Sequence, residues 1–170
     1  MRILIADDHP VVRSGLKAIL AGQSSWEICA EAETGEQAVA MATRLRPDVV
    51  ILDLNLPGIT GLQASTEIKR ALPGVELVIL TCHYSAPLLQ AIAQSGALGF
   101  VLKTDADRDL IAAVEAARRR EAFISRNVDA LLPASPRTTP FFMLLAENEL
   151  LTAQERAQVR TIAKQMRHLL

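Results

Sequence analysis

At 170 residues, half of them apolar and with a net charge of −1, the chain is sized for one ordinary domain plus an appendage. The near balance of charge excludes a generally basic nucleic-acid binder, and the apolar content excludes a disordered chain. No apolar run approaches a bilayer span, and Ile3-Leu4-Ile5-Ala6 before two acids is too short for a signal peptide, so a cytoplasmic protein without membrane contact is expected.

Residues 2–6 form a short apolar strand that ends in Asp7-Asp8. Pro10 opens a helical pattern in which Val11, Val12, Leu16, Ile19 and Leu20 recur, with Arg13 and Lys17 between them and Gly22 closing it. Residues 26–32 alternate apolar and polar as a half-buried strand does, and Thr34-Gly35-Glu36 leads into a second helix that Pro47 stops. Val49-Val50-Ile51-Leu52 then runs straight into Asp53, a continuous β-branched run of the kind buried on both faces of a parallel sheet. A third helix covers roughly 61–71, with Leu62, Ile68 and Leu72 inward. Residues 75–81 give another apolar strand, 86–95 a fourth helix, and 100–103 a fifth short strand. Asp105 is a candidate N-cap for a last helix through Leu110, Ile111, Val114 and Ala117. Five strand–helix pairs in strict alternation predict an α/β fold, a doubly wound parallel sheet. Cys29 and Cys82 show no metal-ligand spacing and read as small buried hydrophobes.

In a parallel sheet the strand ends share one edge, so Asp7-Asp8, Asp53, Thr81 and Lys103 are expected to converge. Taken singly, an acid at a strand end is usually a cap or turn residue, and a lysine a solvated charge. Complementary groups at four strand ends in one register are a stronger signal. Three carboxylates in one small space repel one another and call for a cation, and hard oxygens without a nearby histidine or cysteine favour Mg²⁺. Acids, a lysine and a hydroxyl around one central carboxylate suit phosphoryl transfer, with Asp53 attacking in line to form an aspartyl phosphate.

These residues resemble the receiver domain of two-component response regulators, of the NarL/LuxR-type subclass. The likeness rests on Asp7-Asp8, on Asp53 with Pro57 and Gly61, on Thr81, and on Gly96 to Lys103, and it covers about residues 1–120. The resemblance implies a flavodoxin-like five-stranded sheet in the order 2-1-3-4-5. It implies that Asp53 is the phosphoacceptor and that Thr81 and Lys103 bind the phosphoryl oxygens. Mg²⁺ would be held by Asp8 and Asp53, by the Asn55 carbonyl, and by Asp7 mostly through water. Thr81 moving towards the phosphate would let Phe100, the switch aromatic, turn inward and repack the face of helix four, strand five and helix five. Self-phosphorylation would use up the constellation, so an enzyme acting on a metabolite is not expected. Cys82, His83 and Asn55 are the positions expected to bear on phosphoryl access or lifetime.

The expected division is a receiver over 1–123, a linker over 124–140 with three prolines in 132–140, and a helical tail over 141–170. Thr152-Ala153-Gln154-Glu155 is a capping-box signature, and Val159, Ile162, Met166 and Leu169 make an apolar stripe behind it. Residues 151–159 are similar to the opening of the subclass's DNA-binding domain, but the sequence closes at Leu170 before a recognition helix, so direct DNA binding is not expected. The expected function is a phosphorelay response regulator that accepts a phosphoryl group from a sensor histidine kinase. Its output would pass through a homodimer or a hetero-protein target, on the switch face and the tail. The alternatives are a truncated or eroded LuxR-type transcriptional regulator and a phosphate sink that only drains the kinase.

Overall fold

The computed structural model describes residues 1–125. In chain order these give β1 (Arg2–Ala6), α1 (Pro10–Leu20), β2 (Glu27–Ala32), α2 (Gly35–Leu45), β3 (Val49–Asp53) and α3 (Gly61–Ala71). Then come β4 (Glu76–Thr81), α4 (Ala86–Gln94), β5 (Gly99–Leu102), a short 3₁₀ turn (Lys103–Asp105), α5 (Ala106–Arg118) and β6 (Phe123–Ile124). The strands are all parallel, in the order β2-β1-β3-β4-β5-β6.

The apolar runs account for the layering. Every residue of β3 and β4 is buried, because helices cover both faces of the sheet. Successive side chains alternate between two cores. Ile5, Ile51, Leu80 and Val101 meet Leu16 of α1 and Leu110 and Val114 of α5. Leu4, Leu52, Ile79 and Phe100 meet the other core, with Ala38, Ile68 and Ile92 of α2, α3 and α4. The strand ends that carry Asp7, Asp53 and Thr81 therefore reach one edge, and Lys103 follows directly after β5. Among the described residues, no helix is long and apolar enough to cross a membrane.

The expected five-stranded sheet has a sixth strand. Phe123 N–H donates to the Leu98 carbonyl and Ser125 N–H to that of Phe100, both at 2.9 Å, so the chain after α5 covers the edge of β5. The fully buried Ser125 hydroxyl donates to Asp109 Oδ2 at 2.7 Å and accepts from Leu102 N–H at 3.3 Å. Ser125→Ala is expected to destabilise the domain by about 2 kcal/mol, since it removes a bond to a buried carboxylate and an acceptor for a strand N–H. Equilibrium urea denaturation reads that shift. Ile124 and Ser125, expected in the linker, thus pack against β5 instead; the remaining residues of the linker and tail lie outside the described residues.

Other local readings shift for identifiable reasons. On α1, Val11 is 82% exposed while Arg13 is buried, because the guanidinium has acceptors to satisfy it. Asp105 makes no cap bond; it ion-pairs with Arg108 at 2.5 Å instead. Cys29 is half-buried, its thiol pushed up by burial and donating to the Ile3 carbonyl, whereas Cys82 is exposed, against the expectation of a buried hydrophobe. Lys69 is wholly buried and bound to Glu76 Oε2 at 2.9 Å, a charged pair that no apolar pattern reveals.

Candidate functional site

The parallel register delivers the acids and the lysine together. Asp7 leaves β1, and its Oδ1 accepts the His9 backbone N–H at 2.8 Å, which closes the turn into α1. Lys103 Nζ sits 2.7 Å from Asp7 Oδ2 and 2.8 Å from Asp53 Oδ2, bridging two carboxylates that are almost wholly buried. Burial alone would push the Lys103 ammonium down. The hydrogen bonds and charges of Asp53 and Asp7 outweigh it and hold the ammonium above the ordinary lysine range. Asp53 Oδ1 is buried and accepts no hydrogen bond. That leaves one oxygen of the central carboxylate with unused acceptor capacity.

Asp7, Asp8, His9 and Asp53 each bring one donor atom to within 4.8 Å of the others, so this group could hold a metal ion. The expectation of a pocket without histidine is corrected here: His9 Nδ1 lies 2.6 Å from Asp8 Oδ1 and 3.5 Å from Asp7 Oδ1. Thr81 is buried at the end of β4, but its hydroxyl donates to the His83 carbonyl at 3.1 Å and accepts the His83 N–H at 3.3 Å. Phe100 is already fully buried in the core beside α4. The hydroxyl thus faces its own loop while the aromatic is inward. Asn55 is exposed in the loop after β3, and His83 is exposed after β4.

That β3–α3 loop is held by close backbone approaches. A Cβ on Gly61 would lie 2.1 Å from the Asp53 carbonyl oxygen, and Gly58 has φ +77°. Glu36 of α2 accepts the Ile59 N–H at 2.9 Å, and backbone N–H groups, its own first, keep its carboxyl below the usual range.

Residues 3–115 match the response regulator receiver domain family. The chain belongs to that family. It is 32% identical to response regulator UvrY of Escherichia coli (strain K12) over 154 residues, 88% of this chain and 71% of UvrY. It is 38% identical to oxygen regulatory protein NreC of Staphylococcus epidermidis over 133 residues, 78% of this chain and 61% of NreC. The transcriptional regulatory protein YxjL of Bacillus subtilis is 35% identical over 130 residues, and this chain spans 59% of its length. Among solved structures, a LuxR-family response regulator from Aurantimonas superposes with a TM-score of 0.72 at 29% identity, covering 76% of this chain and 92% of that one. The isolated REC domain of RcsB from Salmonella enterica serovar Typhimurium, solved in the presence of the phosphomimetic BeF₃⁻, gives 0.72 at 30% identity, covering 78% and 98%. This is a receiver of the NarL/LuxR type from a two-component system.

Two residues of the receiver site escaped the sequence reading. His9 follows the acid pair directly, but helical periodicity does not say which way an N-cap side chain turns. Arg13 reads as a surface charge between apolar positions. In the receiver its guanidinium donates to the Asp7 carbonyl at 2.8 Å and pairs with Glu33 at 2.6 Å and Glu31 at 3.2 Å, fixing the turn that carries the acids. Two acids near the end of β2, Glu31 within it and Glu33 just past it, were the available signal.

Proposed function

We propose that Asp53 accepts a phosphoryl group from the phosphohistidine of a sensor kinase, with a divalent cation such as Mg²⁺ held beside it. The observation that carries this reading is the buried Asp53 carboxylate, grouped with Asp7 and Asp8, with one oxygen on Lys103 and the other free of hydrogen bonds. A carboxylate oxygen attacks phosphorus in line, the phosphorus–nitrogen bond to the donor imidazole breaks, and that nitrogen regains a proton. Lys103 Nζ stays beside the transferring oxygens and offsets their charge. Asp8, Asp53, the Asn55 carbonyl and, through water, Asp7 would hold the cation, which when bound neutralises phosphoryl charge.

The donor is a protein, and the surface beside the site suits one. A groove of about 380 Å³ runs between α1 and α5 to Lys103, lined by Val12, Leu16 and Ile19. Thr81 is the mobile partner in the switch: its hydroxyl has to leave His83 to reach a phosphoryl oxygen. Phe100 is inward already, so the β4–α4 loop makes the larger movement. Since Ser125 N–H bonds to the Phe100 carbonyl, any change in β5 is felt where the chain continues beyond the domain. YxjL and DegU of Brevibacillus brevis are named transcriptional regulatory proteins, and an output in transcription through protein contacts fits that company.

Light scattering of the full chain with Mg²⁺ and beryllofluoride, with Asp53→Asn alongside, tests the switch. A mimic-dependent mass change lost in Asp53→Asn identifies self-association as the output. Bound mimic at constant mass identifies a hetero-partner. A wild type that binds no mimic contradicts the proposal.

A further inference from the structure

We infer that His9 supplies a nitrogen ligand to the cation pocket, so that this receiver takes Mn²⁺ or Co²⁺ with a preference that an all-oxygen pocket lacks. The inference rests on the cation reading above and concerns which ion the pocket selects.

His9 stands at the N-cap of α1, yet its ring makes no cap bond. Its backbone N–H is tied to Asp7 Oδ1, and its ring is turned towards the acids. Ring Nδ1 is 2.6 Å from Asp8 Oδ1 and 3.5 Å from Asp7 Oδ1, so a nitrogen already stands among the carboxylate oxygens. All four donor atoms lie within 4.8 Å of one another. Ligands about 2.1 Å from a common ion stand roughly 3 Å apart when adjacent and roughly 4.2 Å apart when opposite, so only small movements would bring Asp8, His9 and Asp53 onto one ion, with Asp7 reaching it through water. The independent pointer is Asp53 Oδ1, on a side chain 2% exposed, with no hydrogen bond to satisfy it.

Lys103 narrows the place further. It occupies Oδ2 of both Asp7 and Asp53, which leaves their Oδ1 atoms, and Asp7 Oδ1 is the oxygen 3.5 Å from His9 Nδ1. Mg²⁺ keeps oxygen ligands and waters, and gains little from an imidazole. Mn²⁺ and Co²⁺ accept one readily, Co²⁺ the more strongly. The His9 side chain is 66% exposed, so its removal leaves no core cavity.

The test is pulsed EPR on the full chain loaded with one equivalent of Mn²⁺, with titrations of Mn²⁺, Co²⁺ and Mg²⁺ in parallel. Wild type is expected to show ¹⁴N modulation from a coordinated imidazole, lost in His9→Ala and kept in His83→Ala. The same His9→Ala change should weaken Mn²⁺ and Co²⁺ by about tenfold and Mg²⁺ by less than about threefold. Bound Mn²⁺ without the nitrogen signal, or a signal that survives His9→Ala, overturns the inference and leaves the cation pocket standing. A wild type that binds neither Mn²⁺ nor Mg²⁺ overturns the pocket reading and this inference together.

Discussion

Lys103→Met is expected to lose about 3–5 kcal/mol of stability at neutral pH, the largest effect of any single change at the site. Lys103 ion-pairs with the side-chain carboxylates of both Asp7 and Asp53, at 2.7 and 2.8 Å. Without it, two carboxylates that are almost wholly buried face each other and Asp8 with no compensating charge. The double variant Lys103→Met/Asp53→Asn should recover part of the loss, because one of the stranded charges is gone. The pH dependence separates charge from packing. Lys103 is held above its ordinary value in the folded chain, so its contribution is complete below about pH 10.4 and lost as the pH rises through the raised folded value. Wild type should show that alkaline loss in urea midpoints, and Lys103→Met should show a shallower one, left by groups such as the half-buried Cys29 thiol. Equal alkaline limbs in both proteins would remove Lys103 from the account.

Gly61→Ala is expected to damage stability and chemistry together. The added Cβ would lie 2.1 Å from the Asp53 carbonyl oxygen, 2.8 Å from Leu54 Cα and 2.9 Å from the Asp53 carbonyl carbon, all of them backbone atoms. No rotamer relieves such a clash. The peptide behind the phosphoacceptor has to move, at about 2–3 kcal/mol, and a displacement approaching an ångström slows transfer by about a hundredfold. Gly15→Ala is the control of opposite sign. Nothing lies within 4 Å of its Cβ position in α1, so it should stabilise by about 0.5–1 kcal/mol through helix propensity alone. Urea denaturation gives the stabilities, and phosphorylation by a small acyl phosphate gives the rates.

The sequence exposed what repeats or alternates and hid what depends on one side chain's direction. The runs ending at Asp53 and Thr81 announced buried parallel strands, and the strand ends announced the acidic site. Hydrophobic patterning carries both. The strand Phe123–Ile124 is too short to show a period; its pairing is fixed by Leu98 and Phe100, far from it in the chain. Arg13 and Lys69 are buried cations that periodicity does not find, because burial of a cation needs acceptors that only the fold assembles. His9 is a different case: its ring is mostly exposed, and its approach to Asp8 is a matter of side-chain direction that no spacing rule encodes.

The most direct test of the phosphoacceptor claim is to incubate the full chain with a small acyl phosphate and Mg²⁺, reduce with borohydride, and locate the modified residue by peptide mass. A single acyl phosphate at Asp53, trapped as homoserine and absent from Asp53→Asn, is the predicted result. A folded wild type that takes no phosphoryl group, or a label that persists in Asp53→Asn, contradicts the account.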